Sequence, residues 1–287
     1  MSGLPRLNGV IGALEKGQVA FTSFCPPNPS DAMAFASSDY DGIVIEMEHN
    51  PWDSANLRDC LQYMLLRGQL VKGGSLAPKV TPMCRVPVNG VEMAQWQAKQ
   101  ALDAGCYGIV FPHISTVEQA YNAVAAARYP RLADKERHEP QGIRGDGPTA
   151  AVRYWGITQQ EYYAKADVWP YDPNGEIFCI LQIEDTLGIK NLPDMLKNVP
   201  GIGAILIGEG DLGQELGFPR QYDHPALLEA MAEVVAVCKE HDVVVGHPHA
   251  TAANVEALIE QGYRFLMTGV SRTYPGLVKG REVAGRD

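Results

Sequence analysis

Polar side chains stand at the ends of several apolar runs in this sequence. The run DGIVIEMEHNPW, at 41–52, ends in two carboxylates and an imidazole, those of Glu46, Glu48 and His49. Burying such charges without partners costs several kcal/mol, so a run that ends this way has reached a surface or a site. Acids, bases, a guanidinium and an amide at six such points predict a catalytic site. The five later runs end in Arg85, in His113, in Gln182 and Glu184, in Asp211, and in His247 and His249.

Two of these carboxylates have the chemistry of a metal site. Glu184, in LQIED, and Asp211, in GEGDLG, end consecutive runs and can point at one place. Without a cation they would repel each other, whereas a hard divalent cation accepts two carboxylates within a water-rich octahedral shell. The glycines at 208, 210 and 213 let the backbone approach a ligand and offer amide donors to an anion. We predict Mg²⁺ or Mn²⁺ at Glu184 and Asp211; the alternative is that Asp211 caps the following helix.

The side chains of Arg85 and His49 suit the binding of a 2-oxo acid and proton transfer, respectively. Arg85, in PMCRVP, carries a guanidinium that can bind a carboxylate in bidentate fashion, so beside a metal it would bind the acid end of the substrate. A salt bridge at the end of a strand is the alternative. His49 is a candidate general base, because imidazole titrates near neutrality and a neighbouring acid could orient it.

The elements that must position these residues alternate between β and α character. Apolar or β-branched runs predict strands at 18–25, 42–48, 81–87, 107–113, 177–184, 204–211, 242–249 and 264–270. Helices are predicted between them at 31–38, 54–67, 90–104, 117–128, 189–197, 226–240 and 252–261. This pattern favours a parallel sheet covered by helices, and we predict an α/β fold, a closed (β/α)8 TIM barrel with its chemistry at the carboxyl ends of the strands. An open doubly wound sheet is the alternative, but no G-x-G-x-x-G opens a helix after the first strand.

The length of 287 residues fits one barrel domain over 1–287. A long connection at about 129–176 interrupts the repeat and is rich in charges, Pro, Gly, Tyr and Trp. Such loops often shape active sites, so it is a candidate lid or pocket wall. For 131–139 a solvated excursion is an equal alternative.

Composition restricts the partners. The net charge of -10 and the pI near 5.2 disfavour nucleic acid, whose binding needs clustered Lys and Arg. Six cysteines without a C-x-x-C pair are typical of reduced, buried thiols in a cytoplasmic protein. The sequence contains no apolar span of 18 residues, the length that would predict a membrane helix. A small-molecule ligand is expected.

Taken together, these motifs resemble the HpcH/HpaI aldolase family, the metal-dependent class II aldolases that act on pyruvate-like donors. The matching pieces occur in family order over roughly 15–275: DGIVIEMEHNP, CRVP, QALDAGCYGIVFPHI, ARYP followed by QGIRG, LQIEDTLGIKNLPDML and IGEGDLGQELGFP. The resemblance implies a barrel of the phosphoenolpyruvate/pyruvate-domain type and a homo-oligomer, a trimer or hexamer, with active sites near subunit boundaries.

The resemblance also assigns roles to residues of this chain. It implies a divalent metal held by Glu184 and Asp211, and a catalytic set of His49, Arg85 and Asp103, with Asp103 reaching the site from a neighbouring subunit. Arg144 and Gly145 match a loop near the site. The implied substrate contacts are Arg85, Gln182, Gly210, Asp211 and Pro248.

The chemistry that the resemblance implies is cleavage or formation of 4-hydroxy-2-oxo acids. The metal would stabilise the enolate of pyruvate or hydroxypyruvate, and His49 would move the proton of the aldehyde-derived hydroxyl. No Schiff-base lysine is needed, and no Lys stands at a predicted strand end.

Some positions depart from the family pattern. Glu209 stands where Pro is usual, Asn50 where Gly or Ala is usual, and Glu46 where Asp is common. His247 and His249 stand where relatives tend to be aliphatic, and we expect them to line the aldehyde side of the pocket. Two alternatives follow: an oxaloacetate-type decarboxylase or related enolate lyase, and a non-catalytic oxo-acid-binding protein. A zinc site of His113 with His247 and His249 is less favoured, because Pro248 must permit a regular strand.

Overall fold

Nine strands and thirteen helices occur in the described residues of the computed structural model, which are 4–87, 92, 93, 95–269 and 274–286. The strands are β1 (Ala20–Cys25), β2 (Gly42–Glu46), β3 (Thr81–Arg85), β4 (Gly108–Phe111), β5 (Val168–Trp169), β6 (Ile177–Ile183), β7 (Ala204–Ile207), β8 (Val244–Ala250) and β9 (Phe265–Thr268). The helices are α1 (Gly9–Glu15), α2 (Pro29–Ala36), α3 (Ser54–Tyr63), α4 (Arg67–Gly73), α5 (Gln95–Ala104), α6 (Val117–Ala127), α7 (Thr149–Trp155), α8 (Gln159–Lys165), α9 (Thr186–Asn198), α10 (Glu209–Glu215), α11 (Pro225–Glu240), α12 (Val255–Gln261) and α13 (Pro275–Val283).

Eight of the strands close into a parallel barrel. Their order around the ring is β1, β2, β3, β4, β6, β7, β8 and β9, and pairing of β9 with β1 completes it. The short β5 pairs with the start of β6 and lies outside this ring. The predicted (β/α)8 barrel is therefore confirmed, with every predicted strand present and most of them shorter than predicted.

Side chains of alternating strand residues fill the barrel and cover its outside. Val44, Met83, Val110, Phe178 and Phe265 belong to the inner cluster, while their neighbours along the strands pack against the surrounding helices. The inner cluster also contains Val10 and Ile11 of α1, so this helix closes the end of the barrel from which the strands begin. The opposite end, where the strands finish, is left for a site.

The long connection packs low on the barrel wall. It contains α7, α8 and β5, and the Trp155 ring stacks on Tyr107, which precedes β4, with centroids 4.3 Å apart. Nε1 of Trp155 donates to the carbonyl of Gly105 at 2.9 Å. These contacts lie where β4 begins, so this part of the connection does not form the predicted lid over the strand ends of its own barrel.

Two further expectations concern the cysteines and the membrane. All six cysteines are buried and free, as predicted. Within the part of the chain that the structure describes, no helix combines the length and the hydropathy that crossing a bilayer requires.

Candidate active site

Arg85 lies at the centre of the polar cluster where the strands end. It is the last residue of β3 and stands in register with Glu46, the last residue of β2. Its Nε donates to Oε2 of Glu46 at 2.7 Å, and its Nη1 lies 2.9 Å from Oε2 of Glu48 and 3.2 Å from Oε1 of Gln182. The guanidinium also sits 4.4 Å from the ring centroid of Phe24. Arg85 thus links the end of its own strand to the ends of β2 and β6.

Glu184 follows β6 and is held by two donors. Its Oε1 accepts from the backbone amide of His113 at 2.6 Å, and its Oε2 accepts from Nε2 of Gln182 at 2.5 Å. Gly208 makes room for it, because a Cβ at residue 208 would overlap both Oε2 and Cβ of Glu184. Each carboxylate oxygen has a second lone pair that these bonds leave free.

The electrostatics of this cluster favour a cation. Burial, followed by the charges of Glu48 and Asp211, raises the pKa of Glu184 to about 8, against the two hydrogen bonds that act to lower it. Burial also raises the pKa of Glu48, although Arg85 opposes the shift. Buried carboxylates that repel one another lose this penalty when a divalent cation lies among them.

Three side chains meet the distance requirement of a metal site. Glu48, His113 and Glu184 each bring one ligand atom within 4.8 Å of the others. Among the described residues, this is the group of three or more potential metal ligands that meets this distance. Two carboxylates and an imidazole suit a divalent cation such as Mn²⁺. The donor set therefore fits the metal that the sequence predicts.

Asp211 is placed differently from the prediction. The predicted strand at 204–211 ends at Ile207, and the chain turns at Gly208 into α10, which carries Asp211 exposed in its first turn. Its charge acts on Glu184, but Asp211 lies outside the group of three. The N-cap of α10 is Gly208, and Asp211 lies within the helix, so the alternative that Asp211 caps this helix is wrong. A ligand role for Asp211 stays a prediction.

Two further residues predicted to contact the substrate, Gln182 and Gly210, differ in how close they lie to the cluster. Gln182 touches both Arg85 and Glu184, as a residue of this site should. Gly210 lies beside Asp211 in the first turn of α10, where amides lack carbonyl partners within the helix. A Cβ at Gly210 would meet nothing within 4 Å, so the backbone faces open space.

His49 borders the site at its mouth. Its side chain is 67% exposed, and its Nε2 lies 3.7 Å from Oε2 of Glu48. Oε1 of Glu46 accepts from the amides of Glu48 and His49 at 2.8 and 3.2 Å, which holds the loop after β2. A base in this position is open to a substrate that arrives from solvent.

Asp103 lies far along the barrel from Glu184. It is near the end of α5, just before β4 begins, and parallel strands all begin at the end opposite the site. Its Oδ1 pairs with Nη2 of the buried Arg144 at 2.8 Å, and Arg144 lies over the ring of Tyr129 at 4.5 Å. Asp103 therefore cannot reach the site of its own barrel, and its catalytic role stays a prediction that requires a second subunit.

His247 and His249 do not line the polar cluster, contrary to expectation. Gly246 faces Phe265 and Leu206 inside the barrel, so the next residue, His247, points outward. His247 Nε2 lies 3.4 Å from Oε2 of the buried Glu209, and Nδ1 of His249 contacts Oε1 of Glu209.

These two histidines line an outer cleft of about 620 Å³ together with side chains of α11 and α12. Pro248, between them, is buried and does not line this cleft, and its predicted substrate contact is untested. His113 lies in the cluster around Glu184 instead, so it does not share a zinc site with them.

Glu48 and His113 are the site residues that sequence reasoning did not place beside Glu184. Both are the last residues of predicted strands, at 42–48 and 107–113, and that position was their signal. The contact between them could not be anticipated, because it depends on the left-handed backbone of His113, whose φ is 54°.

Comparison with known proteins gives the family. The family model "HpcH/HpaI aldolase/citrate lyase" matches residues 24–274. A 5-keto-4-deoxy-D-glucarate aldolase from Escherichia fergusonii is 30% identical over 246 residues, covering 84% of this chain and 82% of the relative. A 2-dehydro-3,6-dideoxy-6-sulfogluconate aldolase from Pseudomonas putida is 29% identical, covering 82% and 80%.

A solved structure agrees with these relatives. An HpcH/HpaI aldolase/citrate lyase family protein from Burkholderia cenocepacia J2315 superposes with a TM-score of 0.71 at 26% identity and covers 92% of each chain. The prediction of an aldolase, a carbon–carbon lyase, is confirmed by these comparisons. This chain belongs to the HpcH/HpaI aldolase/citrate lyase family.

Proposed function

We propose that this aldolase depends on a divalent metal, cleaves or forms 4-hydroxy-2-oxo acids and has pyruvate or hydroxypyruvate as its 2-oxo acid. The observation that carries the proposal is the contact of Arg85 with Gln182 and Glu48, directly beside the group of Glu48, His113 and Glu184. A carboxylate-binding guanidinium next to a cation site is what a 2-oxo acid requires. The two relatives are named for sugar-acid substrates, which supports an acidic or hydroxylated substrate here.

The roles follow from the positions of the side chains. Mg²⁺ or Mn²⁺, when bound, supplies Lewis-acid stabilisation of the negative charge that develops on the oxo acid. Glu184 is the central ligand, with Asp211 as the second predicted one. Arg85 and Gln182 orient the carboxylate of the oxo acid, and the amides at Gly210 and Asp211 add donors. Pro248 is proposed to contact the substrate as well.

His49 moves the proton of the acceptor hydroxyl. Its exposed imidazole at the mouth of the site can take this proton when the carbon–carbon bond breaks and return it when the bond forms. Asp103 of a neighbouring subunit would complete the site. The proposed protein is thus a single-domain homo-oligomer, a trimer or hexamer, that acts in the cytoplasm on a 2-oxo acid and an aldehyde.

The proposal is tested by aldol cleavage of a panel of 4-hydroxy-2-oxo acids with coupled detection of pyruvate. We expect release that EDTA abolishes and Mn²⁺ or Mg²⁺ restores, and that Glu184→Ala eliminates. Release that persists without metal would contradict metal dependence. Decarboxylation of oxaloacetate without cleavage of any panel member would favour the decarboxylase.

The role of His49 needs a separate variant. We expect His49→Ala to lower kcat by about 10²- to 10⁴-fold, the usual contribution of general acid–base catalysis, while the affinity for the oxo acid is retained. Measurable turnover by the wild type, lost in His49→Ala, would also rule out the alternative that the protein binds an oxo acid without catalysis. Unchanged kcat in His49→Ala would remove His49 from the mechanism.

A further inference from the structure

His113 adopts a backbone conformation that aims two of its groups at one carboxylate. It follows β4 after one residue, and its φ of 54° lies in the left-handed region, which non-glycine residues rarely occupy. In this conformation its amide donates to Oε1 of Glu184 at 2.6 Å, and its Nδ1 lies 3.4 Å from the same oxygen. A strained backbone that brings a side chain to a polar cluster is typical of a functional residue.

The second ring nitrogen of His113 faces another carboxylate. Its Nε2 lies 3.5 Å from Oε1 of Glu48, and the side chain of Glu48 is in turn fixed by the ion pair with Arg85 at 2.9 Å. The imidazole therefore stands between two carboxylates. Metal-bound histidines commonly show this pattern, in which one nitrogen binds the metal and the other donates to a carboxylate.

The distance between Nδ1 and Glu184 suits two ligands of one ion. Two donor atoms that bind the same cation with bonds of about 2.0–2.2 Å lie about 3.0–3.5 Å apart. The observed 3.4 Å falls in this range, whereas it is long for a hydrogen bond. The amide of His113 and Gln182 hold Glu184 from other directions, so lone pairs on its carboxylate remain available.

We propose that His113 Nδ1 is a direct nitrogen ligand of the divalent cation at Glu184, and that Glu48 orients the ring through Nε2–H. The inference rests on the proposed function only in assuming a cation at Glu184. It goes further by giving the site a nitrogen donor, which favours Mn²⁺ and especially Co²⁺ over Mg²⁺, since Mg²⁺ prefers an oxygen-only shell.

His113→Asn is the matched variant. Asparagine tolerates the left-handed backbone and keeps the amide bond to Glu184, but it replaces the nitrogen ligand by an amide group. His49→Asn is the control, because His49 is a second imidazole within 3.7 Å of Glu48 and is not a proposed ligand. Both variants are first compared with the wild type by circular dichroism and thermal melting.

The first measurement is calorimetric titration of chelator-treated protein with Co²⁺, Mn²⁺ and Mg²⁺. We expect His113→Asn to weaken Co²⁺ binding by at least about 10-fold, and Mg²⁺ binding by less than about 3-fold, because imidazole contributes mainly to the transition metals. His49→Asn should match the wild type for all three cations. Equal losses for Co²⁺ and Mg²⁺ in His113→Asn, or no loss, would overturn the proposal.

The second measurement detects the nitrogen directly, and its isotope-labelling arm uses the wild-type protein alone. Electron spin-echo spectra of Mn²⁺-loaded wild type should contain a ¹⁴N coupling that changes on ¹⁵N-histidine labelling, persists in His49→Asn and is absent from His113→Asn. Metal-dependent cleavage without this coupling would leave the proposed function standing and overturn the inference. A ¹⁴N coupling in a protein that cleaves none of the oxo acids would support the inference and contradict the proposed function.

Discussion

At the scale of single residues, the position of Glu184 depends on the missing side chain of Gly208. The turn from β7 into α10 passes so close to Glu184 that a Cβ at residue 208 would overlap its Cβ and Oε2 and approach Nε2 of Gln182 to 3.0 Å. The backbone φ of -91° at Gly208 is open to any residue, so the requirement for glycine is steric and not conformational.

We therefore expect Gly208→Ala to displace Glu184 and to lower kcat/KM by about 100-fold, since displacements of about 1 Å in a catalytic group have effects of that size. Steady-state cleavage assays and Mn²⁺ titration measure the effect. Gly68→Ala is the control, because a Cβ there meets nothing within 4 Å. Full activity in Gly208→Ala would show that the turn can move away without cost.

The sequence predicted most of the polar residues of the site from one feature, their position after an apolar run. Glu46, Arg85, Gln182 and Glu184 are in contact as expected. The same rule failed for His247, because position in the chain does not say which face of a strand a residue occupies. The inner face of β8 is fixed by Gly246, whose lack of a side chain admits the ring of Phe265.

At the scale of elements, the strands were easier to predict than the short helices. All eight barrel strands have continuous apolar runs, which are visible in the sequence. The helices α1, α7, α8 and α10 have seven residues each, too few to be stable alone, so they form only because the barrel packs against them. The predicted helix at 90–104 is observed from Gln95, and 88–91 and 94 lie outside the described residues.

A buried ion pair attaches the long connection to the barrel. Arg128, at the end of α6, donates from Nε to Oδ1 of Asp167 at 2.6 Å and from Nη2 to Oδ2 at 3.1 Å, and both residues are buried. Burial acts to raise the pKa of Asp167, but the hydrogen bonds and charge of Arg128 outweigh it and leave the pKa below its usual value. The pair therefore stabilises the fold above the unfolded-state pKa and is lost as the pH falls through the lower, folded-state pKa.

We expect Asp167→Asn to lower the free energy of unfolding at pH 7 by about 3–5 kcal/mol, because it leaves a buried guanidinium without its counter-ion. Urea unfolding of the wild type and of Asp167→Asn at pH 7 and at pH 3 measures the difference in their free energies of unfolding, which should be smaller at pH 3. Asp134→Asn is the control, since its partner Lys135 is 3.9 Å away and both side chains are exposed. A difference that does not depend on pH would mean that charge is not the cause.

The start of α10 is attached to β8 through Glu209. Burial lowers the pKa of His247 against the charge of Glu209. Nδ1 of His247 accepts from the amide of His249 at 3.1 Å, so the N–H of this ring is on Nε2, which faces Glu209 at 3.4 Å. We expect Glu209→Ala to cost about 1–3 kcal/mol, the penalty for a buried polar group without a partner, and to raise KM for the oxo acid through Gly210 and Asp211. Thermal melts and KM measurements should show a smaller effect for His249→Ala, whose side chain is 55% exposed. A larger effect for His249→Ala would contradict this order.

At the scale of the whole molecule, the barrel separates two polar clusters. One surrounds Glu184 where the strands end, and the other joins Asp103 to Arg144 near where they begin. The sequence could predict the barrel from its alternating pattern, but the distance between these clusters depends on the direction of α5 within the closed fold. If both clusters serve catalysis, the functional unit must contain at least two chains.

Subunit complementation tests this arrangement. We expect Asp103→Ala and Glu184→Ala each to be inactive alone, and co-expressed chains in equal amounts to recover about one quarter of the wild-type activity, because a competent site needs an intact Glu184 from one chain and an intact Asp103 from its neighbour. Cleavage assays on purified mixed oligomers, with sedimentation to establish their size, measure the recovery. An active Asp103→Ala enzyme would remove Asp103 from catalysis. Two inactive variants that fail to complement in a confirmed mixed oligomer would show that a shared site does not form.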